Sequence, residues 1–332
     1  MKQKMNKMVL LTIFVIALML AQPVSASTPY TIVDLGTLGG SFGEALCING
    51  RGQVVGASTT ISGDEHAFLW ESGIMTDLGT LGGSVSVAYG INNRGQIVGE
   101  SNIASGAFHA VLWENGTITD LGTLGGPNSV AFGINERGQI AGWSNLPGGS
   151  AHAVLWENGT MTDLGTLPGG SLSFAHGINP RGQIVGWSEN ASSKREAFLW
   201  DNGTMTDLGR LGGPVSLAYG INARGQVVGE SPVTGWSPAF LWENGTMTGL
   251  DTLPGGSFSI AQGINNRGQV VGYSDTTTGV QHAFLWQNGT MTDLGTLPGG
   301  SISVAYTINE RGQIAGYGFD ASGAAHALLW TK

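Results

Sequence analysis

One phrase, Ile-Asn-x-Arg-Gly-Gln, occurs seven times in this chain, beginning at Ile48, Ile91, Ile134, Ile178, Ile221, Ile264 and Ile308. A second phrase built on Asp-Leu-Gly runs in step with it. Asp34, Asp77, Asp120, Asp163, Asp207, Gly249 and Asp293 are spaced by 43, 43, 43, 44, 42 and 44 residues. A unit of that length buries its apolar face only by stacking on its neighbours, so the period constrains the fold more than any other feature.

Each unit reads as four short strands, here called a to d. Gly, Thr, Val, Ile, Phe and Trp dominate, and no segment repeats its apolar residues with helical spacing. Strand a is Ser-x-Ala-x-Gly-Ile-Asn and strand b is Gly-Gln-Ile-Val-Gly-x-Ser. Asn-x-Arg-Gly between them is type I turn chemistry, with Asn at position i and Gly at i+3. Pro180 falls at position i+1, where its fixed φ fits and its missing N–H breaks no ladder. Strand c is His-Ala-Phe-Leu-Trp and strand d is Thr-Met-Thr-Asp-Leu-Gly. They are joined by Asn-Gly, the strongest short hairpin signal.

Strands a, b and c occur seven times, and the last set, ending at Trp330, lacks its own strand d. A strand of the missing type stands at the start, Tyr30 to Gly36. The expected fold is therefore all-β: a seven-bladed β-propeller of four-stranded antiparallel blades, closed by the N-terminal strand completing the last blade. Closure leaves no sheet edge free to aggregate.

Residues 1–26 read as a secretory signal peptide. Lys2, Lys4 and Lys7 precede an apolar run from Met8 to Leu20, and Val24-Ser25-Ala26 suits cleavage. Residues 27–332 are then one propeller domain, secreted or periplasmic and monomeric. Its 11 Lys and Arg face 23 Asp and Glu, and seven of the 11 are the repeated arginines. No basic patch is left for nucleic acid, and no segment suits membrane insertion. Cys47, the single cysteine, forms no internal disulfide.

His-Ala-Phe at 66–68 and 282–284, with His-Ala-Val or His-Ala-Leu elsewhere, joins Gly-Ile-Asn-x-Arg-Gly-Gln and Asp-Leu-Gly-Thr-Leu-Gly-Gly over residues 30–330. In these motifs the chain is similar to the HAF family of probable extracellular repeats. The resemblance implies a secreted repeat protein and brings no activity with it. The mode of closure also resembles that of tryptophan–aspartate repeat propellers, whose signature dipeptide is absent here.

Ser, His and Asp recur together at one end of strands b, c and d: Ser58/His66/Asp77, Ser101/His109/Asp120, Ser144/His152/Asp163 and Ser274/His282/Asp293. The residue types are those of a hydrolase triad. A set repeated in successive units is instead expected to be a structural polar network, and no residue is assigned as catalytic. The fifth unit loses both partners, to Pro238 and Gly249. The fourth sets Glu196 against Asp207, with Lys194 and Arg195 to relieve the repulsion. The repeated arginines share an end with Glu71, Glu114, Glu157, Asp201 and Glu243, as exposed pairs worth about 0–1 kcal/mol each.

Function is expected where the units differ. The b–c loops vary, and beside the strand-b serine stand Trp143, Trp187, Tyr273, Tyr317, Glu100 and Glu230. On strand a, the residue after the repeated Ala is Leu46, Tyr89, Phe132, His176, Tyr219, Gln262 or Tyr306. Aromatic faces beside carboxylates suit sugar rings. Trp236 lies in a loop, outside any repeated position. These residues outline a non-enzymatic binding module for a glycan or an extracellular protein. The alternative is a hydrolase or lyase at the central opening, using Glu44, His176, Glu100 or Glu230. No cofactor site and no metal-ligand spacing is read from the sequence.

Overall fold

The computed structural model describes residues 30–332. The proposed signal peptide lies outside the described residues. The described chain is all β: 28 strands form five four-stranded sheets and one eight-stranded sheet, with every pairing but one antiparallel. The eight-stranded sheet is two successive units joined by a single parallel residue pair, Glu65 with Val85. Strand order within each unit is a-b-c-d, as in Ser129–Ile134, Ile140–Asn145, Ala151–Glu157 and Thr160–Asp163. The strand Thr31–Asp34 pairs antiparallel with Ala325–Thr331, placing Asp34 opposite Leu328.

The turns follow their sequence. Gly182 N donates to Asn179 O at 2.9 Å, which leaves Pro180 at the position where no N–H is needed. Asn115 and Gly116 both take positive φ, 52° and 74°, the requirement of a type I′ hairpin.

The units are stapled by the repeated asparagine. Asn135 Oδ1 accepts from the backbone N of Arg137 and Gln139, so one side chain organises its own turn. Its Nδ2 donates to Asn179 O in the next unit. The same bond, 3.0–3.1 Å long, runs from Asn49 through every unit, and Asn309 donates back to Asn49 O. These side chains are buried, where an unpaired amide would be costly.

Apolar burial likewise lies between units. Val98 and Ala110 of the second unit pack with Ala131, Ile140, Val154 and Trp156 of the third. Ala315, Ala327 and Leu329 of the last unit pack with Ala45, Val54 and Phe68 of the first.

Candidate functional site

Every strand a contains an extra residue at the same place. In the third unit the ladder with strand b passes from Ala131 to Gly133 and skips Phe132. Leu46, Tyr89, His176, Tyr219, Gln262 and Tyr306 are skipped in the same way. A bulge leaves one residue unpaired and re-aims its side chain. It also accounts for the repeated glycine of strand b: a Cβ on Gly142 would collide with the carbonyl oxygen of Val130, just before the bulge.

All seven bulged residues line one central cavity of about 580 Å³. That volume lies within the range of small-molecule sites. The strand order fixes its layers. Glu44 and Glu65 stand towards the variable b–c loops, the bulged residues form the waist, and isoleucines such as Ile134 and Ile178 lie towards the asparagine staples. Aromatic rings follow one another round part of the waist. Tyr89 and Phe132 are 4.8 Å apart between centroids, Phe132 and His176 5.0 Å, and His176 and Tyr219 5.4 Å.

The polar groups are held in place. Tyr89, Tyr219 and Tyr306 donate through their hydroxyls to Glu100, Glu230 and Glu44 at 2.7–2.8 Å. Burial, and then the neighbouring carboxylate, raises all three phenols. Burial also raises the carboxyls of Glu44 and Glu100, against the opposing effect of their tyrosine bonds, and raises Glu65. Burial lowers His176 to about 4, so its imidazole is neutral at pH 7. His176 Nε2 is out of reach of solvent and has no hydrogen-bond partner among the described residues. The lining contains no Lys or Arg. The site can therefore accept hydrogen bonds and present ring faces, and it is unsuited to an anion.

Of the residues singled out beside the strand-b serine, Glu100 and Glu230 reach the cavity through their tyrosines, and Tyr317 stacks 6.0 Å from Tyr306. The others have their rings against neighbours. Trp187 stacks on Phe174 at 4.5 Å with the Arg195 guanidinium 4.7 Å from its centroid, and Trp143 tilts against the same Phe174. Tyr273 packs edge-on to Phe258, and its phenol is pushed up to about 12 by burial.

Trp236 is 38% exposed and stands apart from the cavity. Its ring lies over Gly249, where a Cβ would meet it at 3.4 Å, with Leu211 and Pro238 alongside. Trp236 thus fills the space of the missing His and Asp of the fifth unit.

The Ser-His-Asp sets divide. His66, His109, His152 and His282 bond through Nδ1 to Asp77, Asp120, Asp163 and Asp293 at 2.7–2.9 Å, and His326 does the same with Asp34. The serine takes no part in the pair. Ser58, Ser101, Ser144 and Ser274 accept from the backbone N of Leu38, Leu81, Leu124 and Leu253, fastening the crossing between units. No serine hydroxyl is offered to an imidazole, so the geometry of a nucleophilic triad is absent from these sets. The pairs also stand near solvent: in the first, His66 is 20% and Asp77 41% exposed in the side chain. In the fourth unit it is Arg210, not Arg195, that comes within 3.2 Å of the buried Glu196.

No family model matches the chain, and no curated protein matches it. Solved structures do. The β-propeller domain of the Trilobed protease from Pyrococcus furiosus, described as having an open velcro topology, matches 86% of this chain and 94% of that one, with TM-score 0.59 and 9% identity. A puromycin-hydrolysing peptidase from Mycobacterium tuberculosis matches with TM-score 0.57 and 11% identity over 90% of this chain. A puromycin hydrolase matches with TM-score 0.57 and 12% identity over 91%. The chain spans 52% and 54% of the lengths of these two hydrolases. At such identities the likeness is one of fold, a β-propeller.

Proposed function

We propose that this chain is a secreted, non-enzymatic binding propeller. It has seven four-stranded blades, closed by the N-terminal strand completing the last, and takes a glycan unit into its central cavity from the face of the b–c loops. Closure is supported by the pairing of Thr31–Asp34 with the last strand and by the asparagine bond from Asn309 back to Asn49. Secretion is supported by the character of residues 1–26, and the HAF-like motifs agree with it.

The observation that carries the binding reading is the convergence of seven non-identical bulged side chains on one cavity. A sugar presents apolar ring faces and many hydroxyl donors, which match aromatic rings, Gln262 and carboxylates oriented by tyrosines. The absence of Lys and Arg from the lining favours a neutral sugar over an acidic one.

Calorimetric titration of residues 27–332 with a panel of neutral oligosaccharides tests this. A saturable hit is expected, and Phe132→Ala should weaken it roughly tenfold through loss of one stacking face. No hit across the panel, or a hit indifferent to Phe132→Ala and Tyr219→Phe, would set the reading aside.

A second reading rests on a separate observation, that Glu44 and Glu65 both face the cavity with raised carboxyl groups. Carboxyls so poised serve general acid–base chemistry in a glycosidic hydrolase or lyase. Turnover of the bound sugar, abolished in Glu44→Gln or Glu65→Gln while binding persists, would replace the binding module by an enzyme.

A further inference from the structure

The end of the molecule opposite the b–c loops carries a feature that the cavity does not use. We propose that the seven repeated arginines, from Arg51 to Arg311, form an inner ring that binds a compact multivalent anion, such as an oligophosphate, over the axis of the fold. This site is independent of the sugar reading, since it lies at the other end of strand a.

The topology places the ring. Strand a lines the central cavity, so the a–b turns form the inner circle of their end of the molecule. The c–d turns share that end and lie outside them. Each arginine is the third residue of an a–b turn, and all seven are exposed. The carboxylates expected to pair with them are engaged elsewhere. Glu71, Glu114, Glu157, Asp201 and Glu243 accept at 2.8–3.1 Å from the side-chain amide of the repeated glutamine of their own unit. Among the described residues, none of the seven guanidinium groups lies within 4.0 Å of a carboxylate.

The guanidinium groups are also oriented. A Cβ on Gly182 would stand 2.6 Å from Nη2 of Arg137, and one on Gly138 2.9 Å from Nη2 of Arg94. Gly225 and Gly268 stand in the same relation to Arg181 and Arg224. Arg311 Nη1 donates to Arg51 O, carrying the arrangement from the last unit to the first. Four of the seven arginines, Arg94, Arg137, Arg181 and Arg224, therefore lean over the glycine of the next turn, and that glycine leaves them room. Arg224 Nη2 also donates to Gln226 Oε1 at 2.6 Å. A guanidinium held over a turn keeps its remaining donors for an oxyanion, with less rotamer freedom to lose on binding.

The charge pattern selects the kind of partner. Inside are seven arginines against two carboxylates in the same turns, Glu136 and Glu310, which accept from the backbone N of Asn93 and Asn266. Outside is the circle of c–d carboxylates. A flat anionic membrane or a nucleic-acid duplex would press on that outer circle. A small anion of high charge fits within it and meets several guanidinium groups at once.

The test is calorimetric titration of the chain with inorganic tripolyphosphate at low ionic strength. One ion per chain is expected, with affinity falling as salt is added. The triple variant Arg94→Ala, Arg137→Ala, Arg181→Ala should bind at least about tenfold more weakly, the matching lysine triple should retain part of the affinity, and Arg210→Ala should leave it unchanged. If the alanine triple melts early, Arg137→Gln alone and the lysine triple give the same ordering. Absence of saturable binding at low salt overturns the proposal, as does a folded alanine triple that binds like the wild type. Tighter ring-dependent binding to anionic phosphatidylglycerol vesicles or duplex DNA than to tripolyphosphate overturns the choice of a compact partner.

Discussion

Two levels of strand a, a few residues apart, obey opposite rules. At the turn level every unit carries the same asparagine, arginine, glycine and glutamine. At the bulge level, the units carry leucine, tyrosine, phenylalanine, histidine, tyrosine, glutamine and tyrosine in turn. The turn level is uniform because each asparagine must satisfy its own turn and reach the next unit with one buried amide. The bulge level is free to vary because its side chain has left the ladder and faces the cavity. Repetition here marks where units hold one another, and variation falls on side chains that face the cavity.

Deleting residues 27–36 is expected to have the largest effect. It strips Thr31–Asp34 from the last strand and removes Tyr30, Ile32, Val33 and Leu35 from the clusters on either side. A loss of about 5 kcal/mol or more, or failure to fold cooperatively, should be read in denaturant melts. Near-native stability would mean that the N-terminal strand does not hold the first and last units together.

Asn222→Ala comes next. It removes donors to Asn265 O and Gln226 and acceptors for the backbone of Arg224 and Gln226. A cost of about 2–4 kcal/mol is expected from the same melts.

At the bulge level, stability should answer to pH instead. His176 titrates at about 4 in the folded chain and at its ordinary 6.5 when unfolded. The unfolded state therefore binds the extra proton between those values, and folding stability falls as pH drops from 6.5 to 4. The loss amounts to about 2–3 kcal/mol. Glu44 and Glu100, raised by burial, act in the opposite sense, gaining protons more readily in the folded state. Comparison with His176→Phe, the residue type of the preceding unit, isolates the histidine: the variant should melt equally at pH 4 and pH 6.5 once the carboxyl contribution is subtracted.

The smallest effect belongs to the rim. His109→Ala breaks one half-exposed pair with Asp120 and should cost about 0.5–1 kcal/mol, leaving sugar affinity unchanged. A larger cost would mean that the pair is coupled to the serine that fastens the crossing between units.

Much of this was legible in the sequence. Pro180 marked the turn, Asn-Gly marked the c–d hairpin, and the shortage of one strand d pointed to Thr31–Asp34. The His–Asp pairs were legible as pairs, including His326 with Asp34 across the length of the chain. The bulge was not, because one inserted residue changes which face a side chain takes without changing the alternation that is read by eye. Its trace was the repeated strand-b glycine at Gly142 and its equivalents, a position with no room for a side chain. The packing of Trp236 was not legible either, because its place in a loop outside the repeat gives no sign that its ring lies beside Gly249. The state of the arginines is not legible, because nearby carboxylates suggest salt bridges and nothing in the spacing shows that the repeated glutamine takes those carboxylates.

The most direct measurement pairs melting temperature with sugar affinity in Asn222→Ala and Tyr219→Phe, which lie on the same strand a and its turn in the fifth unit. The expected result is a double dissociation. Asn222→Ala lowers the melting temperature by several degrees and keeps the wild-type Kd. Tyr219→Phe melts nearly as the wild type and loses affinity, because Glu230 is no longer oriented. If both variants change affinity and stability in proportion, or if no sugar binds either variant or the wild type, the division between a uniform holding level and a varied binding level is wrong.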